Sequence, residues 1–238
     1  MIKEALQYLV GLKANQIETI DGKHYSTEQL YYIKPILDET PNTSAISIST
    51  LTGLVDYIKG GVDALQETTL VVHVVSPTQV NVYSELKKDA TRNNFISCKG
   101  WTPTITYGQF MDVENFNIML QSCFLQNDGS AAVLKVVGSV VEENVTSAND
   151  DGVSQKVTGR AGIVKNAEIE VPNPVILCPF RSFAEVEQTE SKFVFRMKLG
   201  PVAAIFEADG GIWRIFAMQA VKEYLVENLK GCNVKIIS

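Results

Sequence analysis

The residues of this chain that most resemble chemistry lie in FEADGGIW (206–213), where Glu207 and Asp209 stand two positions apart ahead of the paired glycines Gly210 and Gly211. Two carboxylates so close suit a divalent metal site or an acid–base pair, provided that further ligands converge on them. A second group of acids sits in PFRSFAEVEQTES (179–191), where Arg181, Glu185, Glu187 and Glu190 surround Phe180 and Phe183. Glu185 and Glu187 share one side of an extended segment there, within reach of Arg181. The segment reads either as an interface or ligand-contacting loop, or as a packed connector held by ion pairs. Asp150 and Asp151 ahead of Gly152 imitate the start of a calcium loop, but the later acidic ligands are missing, so they read as turn residues that an interface could use.

Other chemistry is thin. His24 and His73 are the only histidines, and neither has a nucleophile or acid at a recognisable spacing. Cys98, Cys123, Cys178 and Cys232 lie far apart with no paired-cysteine motif, which points to buried free thiols in a reducing cytosol rather than a zinc site. Phosphate-binding glycine loops and the nucleophile elbow of hydrolases are absent from the sequence. A basic stretch with an aromatic nearby, Lys87, Lys88, Arg92, Lys99 and Trp101, offers a stacking patch for single-stranded nucleic acid, or simply a solvated loop.

The elements that must position these residues follow from periodicity. Ile2, Leu6, Leu9 and Val10 share a helical face over residues 2–13, and Asp21-Gly22 marks a tight hairpin. Pro35 and Pro41 place a boundary near residues 34–45, between an N-terminal appendage (1–43) and a main body (44–238). In ISISTLTGLVDYIKGG a short strand precedes a Ser49 or Thr50 cap, and Leu51, Leu54, Val55 and Ile58 stripe a helix that Gly60 and Gly61 end. Two β runs flank Ser76 and Pro77, and a helix spans about 109–125, closed by Asn127, Asp128 and Gly129.

AAVLKVVGSVVEENVTSANDDGVSQKVTGRAGIV reads as the longest β signal, apolar at first and polar from about Glu142 to Lys156 around a turn at Asn149–Gly152. Ten residues of such a strand pair beyond the core would reach roughly 33 Å, as a projecting arm or a loose surface hairpin. In SKFVFRMKLGPVAAIFEADGG two strands meet at Gly200 and Pro201. A two-residue loop there sets Phe193, Phe195, Met197 and Leu199 against Ala208, Phe206, Ala204 and Val202. That register places Lys192 opposite Asp209 and Arg196 diagonal to Glu207. The carboxylates of FEADGGIW then serve ion pairing and helix capping, ahead of an apolar stripe from Trp213 through Ile215, Ala217, Ala220, Val221, Tyr224 and Leu225 to Leu229.

With 238 residues, 45% hydrophobic and 20% charged, the chain can bury a substantial core. A net charge of −6 with interspersed signs lowers the expectation of a duplex-DNA binder, and no stretch reaches the length of about 18 apolar residues needed to span a membrane. The expected fold is α+β, a mainly antiparallel sheet with packed helices, a protruding β-hairpin and a C-terminal helix.

HVVSPTQV (73–80), DDGVSQKVTGRAGI (150–163), PFRSFAEVEQTESKFVFRM (179–197) and EADGGIW (207–213) together resemble the YfdQ-like family of phage and prophage proteins, whose biochemical function is unknown. Their order covers most of residues 44–230, while Thr189 stands where the family is expected to favour proline and residues 1–43 match only weakly. The resemblance implies an early-region phage gene product in the host cytoplasm and assigns no catalytic residue. The leading expectation is a non-enzymatic, self-assembling homo-oligomer that acts through binding, without a cofactor. Two alternatives are a recombination accessory that binds single-stranded DNA and a divalent-metal-dependent enzyme using Glu185, Glu187, Glu207 and Asp209.

Overall fold

In the computed structural model, residues 2–11, 17–20, 23–26, 43–63, 68–87, 90–139, 148–150, 155–160, 166–171, 173–198, 200 and 202–238 are described. They belong to two units, Met1–Pro41 and Asn42–Ser238. The first unit holds α1 (Ile2–Gly11), β1 (Ile17–Ile20) and β2 (Lys23–Ser26). β1 and β2 pair antiparallel with Ile20 opposite Lys23, the register that a two-residue Asp-Gly connection dictates. Pro35 and Pro41 lie outside the described residues.

In the second unit the chain continues through β3 (Ile46–Ile48), α2 (Leu51–Lys59), β4 (Leu70–Ser76), β5 (Gln79–Tyr83), β6 (Asn94–Lys99), β7 (Met111–Asp112), α3 (Val113–Ser122), β8 (Phe124–Leu125) and α4 (Asp128–Ser139). It then forms β9 (Ala148–Asp150), β10 (Gln155–Arg160), β11 (Asn166–Val171), β12 (Val175–Pro179), β13 (Ser191–Lys198), β14 (Val202–Glu207), α5 (Trp213–Asn228) and β15 (Val234–Ile237). The class is α+β, but where one main sheet was expected there are two of five strands each. The first runs β7-β14-β13-β12-β8, antiparallel throughout. The second runs β15-β4-β5-β6-β3, an antiparallel centre with parallel strands at both edges.

Local sequence explains most of these elements. Thr50, extended at φ −131°, accepts the Gly53 N–H on its hydroxyl and starts α2, whose Leu51, Leu54, Val55 and Ile58 are buried. Asp112 caps α3 by accepting the Asn115 N–H at 2.9 Å. Asn127 does not close that helix, as expected, but opens the next one. Its backbone N–H donates to Ser130 Oγ at 2.8 Å while its side-chain oxygen accepts the Ser130 N–H at 2.9 Å. This reciprocal cap turns AAVLKVV, expected as strand, into α4, with Ser130, Val133 and Val137 buried along one helical face. Asn149 and Asp150, expected in a turn, belong to β9, where Asp150 pairs with Gln155. β9, β10 and β11 form an antiparallel sheet of their own, and residues 140–147 and 151–154 lie outside the described residues.

Two cores result. α3 and α4 bury Phe116, Leu120, Val133 and Val137 against Leu177, Phe193, Phe195, Met197 and Ile205 of the first sheet. α2 and α5 bury Leu51, Leu54, Val221 and Leu225 against Val72, Val74, Val80, Val82 and Ile96 of the second. Each fully buried aliphatic or aromatic side chain contributes about 1.5–3 kcal/mol. Phe183 joins the second core from the connector between two strands of the first sheet, so that connector bridges the pair.

Candidate functional site

The β13–β14 hairpin decides where the carboxylates go. Phe193 lies opposite Glu207, Phe195 opposite Ile205 and Lys198 opposite Val202, so the connection is residues 199–201 and the expected register is wrong by one position. A slip of one residue exchanges the two faces of a strand. Glu207 therefore stands beside Phe193 on the core-facing side, while Lys192 makes no ion pair with Asp209 and Arg196 lies opposite Ala204.

Arg181 takes the place expected of Lys192 and Arg196. Its guanidinium donates to Glu207 Oε1 at 3.0 Å, to Ser191 Oγ at 2.7 Å and to the Thr189 carbonyl at 3.3 Å. The plane sits 3.9 Å from the Trp213 ring centre and 5.7 Å from that of Phe193. Trp213 Nε1 donates to the same Glu207 oxygen at 3.1 Å, so one carboxylate ties β14 to the connector and to the first turn of α5. Arg181 is 8% exposed and its partner 30% exposed. Burial pulls the guanidinium below its usual range, and the charges of Tyr107, Glu207 and Asp209 oppose that shift.

Tyr107 closes the cluster by stacking on Phe193 at 5.7 Å. Its hydroxyl and Arg181 Nε are both buried, and neither has a partner in good alignment. Burial pushes the phenol up to about 12, opposed by the neighbouring Arg181 and reinforced by Glu207.

The connector is a packed strap, but ion pairs among its own residues do not hold it. Arg181 pairs with neither Glu185 nor Glu187, and Glu185 instead accepts the Thr52 N–H at the start of α2, at 3.2 Å. Gln188, buried, accepts the Arg181 and Ser182 N–H groups and donates to the Phe183 carbonyl at 2.9 Å. Ser182 Oγ donates to the Pro77 carbonyl, fastening the strap to the second sheet. Beneath it, a Cβ on Gly100 would come within 2.8 Å of the Phe183 ring, so only glycine admits this approach.

Asp209 performs the capping role expected of it, accepting the Gly211 N–H at 3.0 Å and the Trp213 N–H at 3.3 Å. Gly210 and Gly211 both have positive φ there. Beside the cluster opens a groove of 560 Å³, lined in part by Ile176, Glu190, Lys192, Asp209, Ile212 and Phe216. Ile212, Ile215 and Phe216 are 52%, 67% and 58% exposed, although the stripe expected for α5 counted Ile215 as inward. The buried members of that helix are Trp213, Ala217, Val221 and Leu225.

The basic patch is divided. Arg92 donates to the Ser84 carbonyl in the connection before β6, whereas Lys99 ends β6 and Trp101 follows it. Six residues of strand separate the two groups by roughly 17 Å. Lys87 belongs to the Arg92 connection, where its N–H bonds the Thr91 carbonyl, and Lys88 lies outside the described residues. Trp101 is 86% exposed. Asp150 ends β9, away from the cluster in the chain, and Asp151 lies outside the described residues.

Among the described residues no three His, Cys, Asp or Glu side chains form a group able to hold a metal ion. No described helix is long and apolar enough to cross a membrane. All four cysteines are free, and Cys98, Cys123 and Cys178 are buried. Sequence reasoning missed Tyr107, Gln188, Ser191 and Trp213 as partners of Arg181. The hairpin register hides only the part that runs through Glu207, which Arg181 and Trp213 share. Gln188 and Ser191 meet Arg181 through the fold of the strap, and Tyr107 reaches the cluster by stacking on Phe193. No family model, no curated protein and no solved structure matches the chain.

Proposed function

We propose that this chain is a non-enzymatic binding protein that assembles with copies of itself, encoded by a phage or prophage as its resemblance to the YfdQ-like family implies. The observation that carries the reading is the apolar ridge of Ile212, Ile215 and Phe216, solvent-exposed beside a groove that adjoins the Arg181–Glu207–Trp213 cluster. Exposed apolar side chains gathered around a concavity mark an interaction surface. Glu207 and Asp209 are already occupied by donors of the protein itself, which suits positioning of that surface. Sedimentation velocity across a wide concentration range tests the reading. A defined oligomer is the expected result, and a monomer at every concentration overturns it.

A second reading, binding of single-stranded nucleic acid, draws support from Trp101, which stands free beside Lys99 as a stacking platform would. Titration of an oligonucleotide at low salt, followed by tryptophan fluorescence, checks it. Unchanged emission removes it.

A further inference from the structure

We infer that the ridge and groove at the start of α5 dock onto the same ridge and groove of a second copy, in a two-fold, isologous contact. The inference rests on the self-assembly reading above and names the surface and symmetry that it lacks.

Positions 212, 215 and 216 follow the i, i+3, i+4 spacing of neighbours on one helical face, so their apolar side chains form a continuous projection. The groove beside them is lined by Ile176, Ile212 and Phe216 among Glu190, Lys192 and Asp209, a mixed recess next to an apolar projection. A surface that carries both projection and recess can satisfy itself after a rotation of half a turn.

The charges around it agree. Lys192 and Arg214 stand with Glu190 and Asp209 at the groove and the adjoining turn, two of each sign. Such a rim attracts neither a polyanion nor a strongly basic partner, but it complements its own image, in which Lys192 of one copy approaches the acids of the other. Lys192 makes no ion pair with a described residue of its own chain and so has its charge available. Behind the ridge, Trp213 is clamped between Arg181, Glu207 and the Asp209 cap, which fixes the docking face before a partner arrives.

The test uses the full chain with Cys232→Ser to remove the half-buried native thiol. Phe216→Glu should weaken association about thirtyfold, as for a central interface anchor, with unchanged circular dichroism. Leu86→Glu, an exposed apolar position on the connection after β5, should leave association as it was. Ile215→Cys treated with a short flexible bis-maleimide should give a covalent dimer on a denaturing gel. A monomeric parent protein would overturn the self-assembly reading itself. An oligomer indifferent to Phe216→Glu would overturn this inference alone. Weakening by Phe216→Glu without the covalent dimer would overturn the two-fold arrangement, since a head-to-tail contact keeps equivalent positions apart.

Discussion

Replacing Arg181 by methionine should destabilise the second unit by about 3 kcal/mol. Methionine keeps much of the buried volume, so the loss is chiefly electrostatic. Glu207 would keep only Trp213 Nε1 as a side-chain donor, and Ser191 Oγ and the Thr189 carbonyl would lose theirs. Removing one member of a buried ion pair costs about 3–5 kcal/mol when the abandoned charge stays buried. Glu207 is 30% exposed, so water recovers part of that and brings this contribution to about 2–3 kcal/mol. Losing the guanidinium 3.9 Å from the Trp213 ring centre adds about 0.5–1 kcal/mol. For a chain of 238 residues, the total corresponds to a fall in melting temperature of about 6–12 °C.

Urea unfolding at one fixed protein concentration measures this without interference from association. The decisive comparison adds Glu207→Gln and the double variant. Glutamine still accepts from Trp213, so Glu207→Gln alone should be the milder change. The double variant should fall short of the sum of the singles by about 1–2 kcal/mol. Additivity within about 0.5 kcal/mol would show that Arg181 and Glu207 act independently, and the cluster argument would fail.

Three further outcomes follow from the packing. Gly129→Ala should destabilise by about 2 kcal/mol or more, because its Cβ would collide with the Ile176 carbonyl, whereas Gly138→Ala, with open space around it on the same helix, should stabilise by about 0.5–1 kcal/mol in the same unfolding assay. Native protein treated with iodoacetamide should be modified at Cys232 first, since Cys98, Cys123 and Cys178 are buried and burial pushes the Cys98 thiol up to about 12. Peptide mapping that finds Cys98 modified as fast would contradict the core assignment. Tyr57 and Tyr107 are both raised by burial from 10.0 to about 12, so each holds its proton more tightly folded than unfolded. Their stabilisation is complete below pH 10 and is lost as pH rises towards 12, and alkaline titration of phenolate absorbance should lose one late step in Tyr57→Phe and another in Tyr107→Phe.

How far the sequence could be read depended on whether a signal was local. Thr50 with its apolar stripe, the Ser76-Pro77 break and Asp209 ahead of two glycines act within a few residues, and each was legible. α4 was misread because its valines suggested a strand, yet Asn127 and Ser130 cap it and its buried positions follow a helical period. A reciprocal cap outweighs the few tenths of a kcal/mol by which valine disfavours a helix. The hairpin shows the other kind of limit. Nothing in GP chemistry distinguishes a connection of two residues from one of three, but that single residue decides whether Glu207 meets Arg196 or Arg181. Gln188, a neutral side chain in a polar run, gives no sequence sign that it is the buried centre of the strap.

The order in which the chain visits its sheets has a consequence of its own. After β6 the backbone departs to build the first sheet; apart from the strap that inserts Phe183, it returns to the second with α5 and β15, where Val234 pairs with Leu70. Nicking the exposed stretch Trp101–Thr104 would thus split only the second interior: the later piece keeps the whole first core but carries α5 with nothing beneath it, and the earlier piece lacks the helix that roofs its strands. Mixed together, such halves would be drawn to each other by the one interior that neither completes alone.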